Sequence, residues 1–569
     1  MSFFLALDET RTRPLVWVRC LALLTALLLA PWVPQPVRAQ ALPTFTYAGV
    51  CGEGSVGSGN GLRINQIVRD AAGNSYVTGL FFNSATFGTF LLQNAGFNMF
   101  VAKLDPVGNV LWAVRVGGAY GSGIAVNSGG NIFVTGEFAG TTAFGPFSLT
   151  STDTNPFTGR NAFVAKLDQA GTFLWAVRAG GSSGGGGNGI VVDATGNSYV
   201  CGSYEAVSST ADFGPFRLTS NNNSADVFIA KISAAGTFLW ATGGGGFQED
   251  DATGIALDAA GSIYITGSFK VVARFGTTTL TSAGDHDILV AKLSPAGVFQ
   301  WAVGAGGGAP DLGQRLAVDN QGVVHLVGYL MSVRPVFGAT ILSHPNQSTF
   351  NAFVATLTPA GTWQWAVQGG GPGDDYGYDL ALDPAGNTYA VGSCSYRATF
   401  GATVLATTGD RDVLVCKINP AGAYVWAIQA GGTGNDEATG VVLSANGTLT
   451  LAGSTLSSLA IFGNYGFAGN SAADTGFLAQ LAVGPLATAV PQRTPALALW
   501  PNPVRSGEVV HLAGLSTRQL VEIRDVLGRV VLVLPVPTVG AVEVALPAEL
   551  GSGTYFMQSG PQVHRFTVE

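Results

Sequence analysis

A tryptophan returns at nearly constant spacing through most of this chain, and that return constrains the fold more than any other feature. Trp112, Trp175, Trp240, Trp301, Trp365 and Trp426 follow one another at gaps of 63, 65, 61, 64 and 61 residues, each in a [LQV]-W-A frame. Phe-Gly pairs beginning at Phe87, Phe144, Phe213, Phe275, Phe337, Phe400 and Phe462 keep the same period. So does the glycine that closes each GN-x-Y-V-x-G-type run, at Gly79, Gly136, Gly202, Gly267, Gly328, Gly392 and Gly453. A repeat of this length holds one supersecondary unit, which must bury its apolar faces against its neighbours.

Residues 162–204 span the second half of one such unit and the first half of the next. The runs 162–167 (AFVAKL) and 172–178 (TFLWAVR) flank Asp168-Gln-Ala-Gly171, and the runs 189–192 (GIVV) and 197–201 (NSYVC) flank Asp193-Ala-Thr-Gly196. Asp bonds its own backbone at the start of a turn and Gly takes φ > 0 at its end, so each pair reads as a β-hairpin and each unit as four short antiparallel strands. Seven units have the glycine and the Phe-Gly pair but only six have the tryptophan. Segment 45–52 (FTYAGVCG), ahead of the first unit, imitates the missing strand with Tyr47 in the tryptophan's place. An extra strand at one end and a missing one at the other is what a closed ring needs. The expected fold is all-β: a seven-bladed β-propeller closed by its N-terminal strand. The GIVVD-type strand is expected innermost, the tryptophans in the core, and the Phe-Gly segment as a loop plugging the space between blades.

The units resemble the bacterial β-propeller repeats known as SBBP repeats. Gly254-Ile-Ala-Leu-Asp258 with Ile263-Tyr-Ile-Thr-Gly267, and Asp379-Leu-Ala-Leu-Asp383 with Gly386-Asn387, carry the likeness, which covers about residues 44–482. The chain departs from it where Asp319-Asn-Gln-Gly322 is followed by Val323 instead of Asn, and where the last unit opens its turn with Ser444. The resemblance implies a fold, with no agreed catalytic residue or ligand.

Residues 1–39 read as a secretory signal: Arg11, Arg13 and Arg19, then the apolar run 20–33, then Val37-Arg-Ala39 as a cleavage site. The run is too short and too interrupted by proline for a membrane span. Only 11% of residues are charged and 80 are glycine, as expected of a turn-rich exported β protein. A net charge of −8 without Lys/Arg clusters argues against nucleic acid and anionic membranes as partners. Cys51, Cys201, Cys394 and Cys416 remain after the signal; Cys394 and Cys416 fall on neighbouring strands of one unit, where they either pair or stay free. The five histidines lack metal-ligand spacing, and no nucleophile elbow, zincin or phosphate-loop sequence is present.

From residue 483 to 498 the pattern gives way to a linker rich in Pro, Ala and Thr. Beyond it lie Leu499-Trp500-Pro501-Asn502-Pro503, Val521-Glu-Ile-Arg-Asp525 with Gly528-Arg529, and Leu550-Gly-Ser-Gly-Thr-Tyr555. Residues 499–569 resemble the type A sorting domain of the type IX secretion system. That resemblance implies a small β-sandwich, passage across the outer membrane through the secretion machinery, and a product that is secreted or attached to the surface. Five apolar runs, 509–512, 520–525, 530–534, 542–546 and 554–558, suit such a two-sheet core.

One candidate site follows from position in the repeat. Asp250, Asp311, Asp375 and Asp436 each lie five residues before the first apolar position of the innermost strand, where earlier units have Leu62, Ala119 and Gly185. Asp251 and Glu437 follow them and Asp374 precedes. Either these carboxylates form an acidic arc on the channel rim, binding Ca²⁺ weakly through Asp250, Asp251, Asp375 and Asp436 or orienting a cationic or polyhydroxylated ligand, or each caps its own glycine-rich turn. No other cofactor is expected. The leading expectation for function is a secreted or surface-held binding or scaffold protein that contacts a glycan or protein; the alternative is an extracellular polysaccharide hydrolase or lyase.

Overall fold

A computed structural model describes residues 42–54, 61–152, 159–181, 184–205, 210–220, 224–344, 348–483 and, in pieces, 498–569. The signal expected over residues 1–39 and most of the linker lie outside the described residues. Among the described residues every regular element is a β-strand, and no helix is long and apolar enough to cross a membrane.

Each repeat is a four-stranded antiparallel sheet whose strands pair in chain order. In the second unit these are Ala119–Val126, Ile132–Ala139, Arg160–Leu167 and Phe173–Ala179. The Asp-x-x-Gly turns form as their chemistry requires: Asp193 Oδ1 accepts from the backbone N–H of Thr195 (3.0 Å) and Asn197 (2.9 Å), and Gly196 takes a φ of 83°. The middle strands are buried along almost their whole length, as in Ile263–Phe275 over its first seven residues and Asp412–Ile418 throughout, because sheets pack on both of their faces.

The first strand of each unit lies beside the first strand of the next, from Leu62–Arg69 against Ala119–Val126 through to Tyr376–Leu382 against Asp436–Leu443. Asp436–Leu443 in turn lies against Leu62–Arg69. The last unit takes its fourth strand from the N-terminal segment: Thr44–Gly54 pairs antiparallel with Thr475–Ala482.

The tryptophans join neighbouring units. Trp112 Nε1 donates to Gln169 O (3.0 Å), Trp175 to Ala234 O (3.1 Å), Trp301 to Pro359 O (3.2 Å) and Trp365 to Pro420 O (3.0 Å), each carbonyl belonging to the following unit's last turn. Tyr47 occupies the equivalent register, opposite Gln480 as Trp112 is opposite Lys103, and its phenol lies against Gly108 of the first unit.

The Phe-Gly segment is not the loop expected from the sequence. It is a two-stranded hairpin, as in Thr141–Phe144 with Phe147–Thr150, and in the fourth unit it merges with the long strands Ile263–Phe275 and Thr278–Leu293. Its Phe does fill the space between units: Phe144 lies 4.7 Å from Phe163 of its own third strand and shares a core with Val101 and Val116 of the unit before, and Phe213 lies 4.9 Å from Phe228 and shares a core with Val164 and Ala179 of the unit before. The glycine supplies the left-handed turn residue that two-residue hairpins need, a chemistry overlooked when the segment is read as a loop. Among the described residues the four cysteines, Cys51, Cys201, Cys394 and Cys416, are free and buried.

Two further sheets follow. One contains Ala498–Trp500, Val509–Leu515 and Gly540–Ala545; the other contains Val530–Pro535, Leu520–Arg524, Gly553–Ser559 and Gln562–Val568.

Candidate functional site: the axial cavity and its rim

Every first strand breaks register at the same place. Pairing with the second strand skips one residue between Ile64 and Gln66, Gly121 and Gly123, Gly187 and Gly189, Ala252 and Gly254, Gly313 and Arg315, Gly377 and Asp379, and Ala438 and Gly440. A β-bulge leaves its extra residue unpaired and re-aims that side chain. The skipped residues are Asn65, Ser122, Asn188, Thr253, Gln314, Tyr378 and Thr439, and all of them line a single cavity of about 300 Å³, joined by Arg63, Asp251 and Arg315. The periodic glycine of the second strand stands opposite each bulge. A Cβ on Gly136 would overlap the carbonyl oxygen of Tyr120, so the bulge and the glycine require one another.

Several of these side chains reach the neighbouring unit's backbone. Asn65 Nδ2 donates to Gly121 O (2.7 Å), Thr253 Oγ1 to Gly313 O (2.7 Å) and Thr439 Oγ1 to Ile64 O (2.6 Å), while Asn188 Nδ2 donates to both Asp251 Oδ1 (2.9 Å) and Ala252 O (3.1 Å). Burial raises the Asp251 carboxyl above the usual carboxylate range against the hydrogen bonds that it accepts. The cavity wall is thus mostly neutral amide and hydroxyl, held in place from unit to unit.

Two residues before the bulge, two units repeat one aromatic and cationic arrangement. In the second unit Arg160 lies 4.3 Å from the centroid of the Tyr120 ring and pairs with Glu137, while Phe97 of the preceding unit packs 5.2 Å from Tyr120. In the sixth, Arg411 lies 4.9 Å from the Tyr376 ring and pairs with Asp374 (3.1 Å), while Phe350 of the preceding unit packs 5.5 Å from Tyr376. The second set continues into the cavity. Tyr376 stacks on Tyr378 with ring centroids 5.6 Å apart and planes 6° apart, and Gln314 Nε2 donates to Tyr329 Oη (3.1 Å), whose ring packs 4.9 Å from Tyr376. Arg63 and Glu437 form an ion pair between the first and last units.

The four aspartates singled out by sequence are buried, and none is among the residues lining the cavity. Asp250 Oδ2 accepts from Gly246 N (2.6 Å) and Oδ1 from Lys270 N (3.0 Å); Asp375 accepts from Gly371 N (2.8 Å) and Ser395 N (3.0 Å). Asp311 accepts from Met331 N (3.0 Å) and Ser332 N (3.1 Å), and Asp436 from Gly432 N (2.6 Å), Ser457 Oγ (2.8 Å) and Thr455 Oγ1. The bonds from Gly246, Gly371 and Gly432 cap the glycine-rich turns, while those from Lys270, Met331, Ser332 and Ser395 tie the carboxylates to the far end of the second strand. Burial pushes the Asp250 and Asp375 carboxyls up to about 7 and raises those of Asp311 and Asp436. Among the described residues no three His, Cys, Asp or Glu side chains converge on a position that could hold a metal ion. Asp251 does reach the cavity, Asp374 and Glu437 stand in the rim ion pairs, and the bulge residues are what the sequence reading missed. Their signal is a position two residues before the first apolar one of the innermost strand that is polar in every unit.

Residues 364–393, from the fourth strand of the fifth unit into the second strand of the sixth, match the family model described as SBBP, beta-propeller repeat. An uncharacterized WD repeat-containing protein (L264) of Acanthamoeba polyphaga mimivirus is 25% identical over 361 residues, which is 52% of this chain and 26% of that protein. The chain therefore spans about a quarter of that relative's length. Among solved structures, the Dos1 propeller aligns at a TM-score of 0.39 and 9% identity over 78% of this chain and 95% of that one. PorZ, a surface component of the type IX secretion system of Porphyromonas gingivalis, aligns at a TM-score of 0.22 and 10% identity over 92% of this chain and 100% of that one. With a matching repeat and sheets of four antiparallel strands laid side by side, the chain is an all-β protein of the β-propeller fold.

Proposed function

We propose that the units over residues 40–482 close into a seven-bladed propeller, and that the protein is an exported binding or scaffold protein whose axial cavity and aromatic rim contact a glycan or a polar protein surface. The observation that carries this reading is the ring of bulged polar residues from Asn65 to Thr439, opening beside the stacked pair Tyr376 and Tyr378. Hydroxyl and amide groups match the hydrogen-bonding edge of a sugar, and an aromatic face matches its apolar one. Glycoside hydrolysis uses two carboxylates roughly 5–9.5 Å apart. The cavity lining includes a single carboxylate, Asp251, tied to Asn188, so binding is favoured over hydrolysis. Residues 1–39 and the domain over 499–569, beyond a linker at 483–498, are proposed as the export and type IX sorting signals, with a secreted or surface-held product.

A glycan array probed with the full mature chain, with analysis of the medium for cleavage products, tests this reading. Binding that drops about tenfold or more in Tyr378→Ala, without released sugar, is the expected result; released oligosaccharide would replace binding with hydrolysis or lysis.

A further inference from the structure

The fifth unit departs from the repeat at three positions that meet in space. In the units with an Asp turn, the outer turn oxygen is surrounded by donors. Asp193 Oδ2 accepts from Asn197 Nδ2 (2.9 Å) and Tyr199 Oη (3.2 Å) with Lys231 Nζ at 3.9 Å, and Asp383 Oδ2 accepts from Asn387 Nδ2 (2.8 Å) and Tyr389 Oη (3.1 Å) with Lys417 Nζ at 3.9 Å. The lysine also lies over the tyrosine ring, at 4.7 Å in the first case and 5.1 Å in the second. In the fifth unit the asparagine is Val323, the tyrosine is His325 and the lysine, opposite His325 in register, is Thr356.

Asp319 Oδ1 keeps its turn, accepting from Gln321 N (2.8 Å) and Val323 N (2.9 Å). Its Oδ2 has lost all three partners and stands 3.6 Å from His325 Nε2, beyond hydrogen-bond reach. The two smaller side chains leave a cavity of about 640 Å³ between the fifth and sixth units, lined by Asp319, His325, Thr356, Trp365 and Asp383 among others. His325 Nε2 and Thr356 Oγ1, on residues 2% and 1% exposed, have no hydrogen-bond partner. The last unit also lacks the tyrosine and the lysine, having Thr450 and Gln480, but there Arg69 Nη1 reaches in to Thr450 Oγ1 (3.0 Å). Nothing comparable enters the fifth unit's cavity among the described residues.

We propose that this cavity is a binding site for a primary alkylammonium group, which takes the place of the missing lysine. The ammonium would donate to Asp319 Oδ2 and Thr356 Oγ1, with the Asp319 carboxylate supplying the opposite charge. Asp319 keeps 16% of its side chain exposed, so the cavity has a solvent path for a free amine or for a lysine side chain of another protein.

Calorimetric titration of the full mature chain with n-butylammonium tests the proposal, with n-butanol and NaCl as controls for shape and charge. Saturable binding is expected with a dissociation constant on the order of 1 mM, absent with butanol. Thr356→Lys restores the repeat's own side chain, so it should fold and abolish binding; Asp319→Asn should weaken binding about tenfold or more while keeping the turn cap. Comparing putrescine with Nα-acetyl-lysine methylamide separates a diffusible amine from a protein lysine as the source. No saturable binding, equal competition by sodium, or unchanged binding in Thr356→Lys would overturn the proposal.

Discussion

At the junctions between the later units, two carboxylates close on one glycine. Asp226 and Asp250 flank Gly245, Asp287 and Asp311 flank Gly306, and Asp412 and Asp436 flank Gly431. Burial first, and then the facing carboxylate, push the Asp287 carboxyl up to about 7 and that of Asp412 up to about 6. A carboxyl whose folded pKa lies above its unfolded value holds a proton that the unfolded chain has released. Its contribution is therefore fully present below about pH 4 and is lost as pH rises through about 7. Asp70, Asp193 and Asp258, held low by their turn donors against the opposing effect of burial, act in the other direction below about pH 4. Asn98, Asn161 and Asn351 occupy the position of Asp287 in other units, so Asp287→Asn should fold. The expected outcome is a melting temperature raised at pH 8 by the equivalent of about 1–3 kcal/mol, with little change near pH 5, read from thermal unfolding at the two values. The turn aspartates and the glycines were readable from sequence because each has one dominant backbone role. The bulge residues were not, because Asn, Ser, Thr, Gln and Tyr share polarity and no single identity, so they stand out only once register is known.

Among the elements, the strand Thr44–Gly54 has the least local support, since its partner Thr475–Ala482 lies at the far end of the repeats. Removing residues 41–52 leaves the edge of Thr475–Ala482 unpaired, and an unpaired edge recruits other strands. A lower melting temperature together with oligomers is expected, measured by calorimetry and light scattering; a stable monomer would mean that the strand is dispensable. Its place was readable from Tyr47, which stands in register where the other units have tryptophan. The hairpins at the Phe-Gly pairs were harder to read, because strands of four residues such as Thr141–Phe144 carry too few alternations to register as a pattern. The fifth unit's departure at Val323 was visible as a broken motif. Its link to His325 and Thr356 required the pairing of strands that are distant in sequence.

For the whole molecule, the C-terminal sheets carry the prediction about address. Deleting residues 498–569 should leave the repeats folded and the protein inside the outer membrane, judged by cell fractionation with thermal melting of the product; full yield in the medium would remove the sorting reading. The closing strand bears on the order of events during synthesis. Thr46 donates to the carbonyl of Gln480 across a separation of 434 residues, so this join must wait until nearly every repeat has emerged. Joining ends that far apart is entropically slow relative to forming each hairpin. The growing chain is therefore an open crescent with a raw edge at either end, and the interval before its two ends meet is when an escorting chaperone has most to protect.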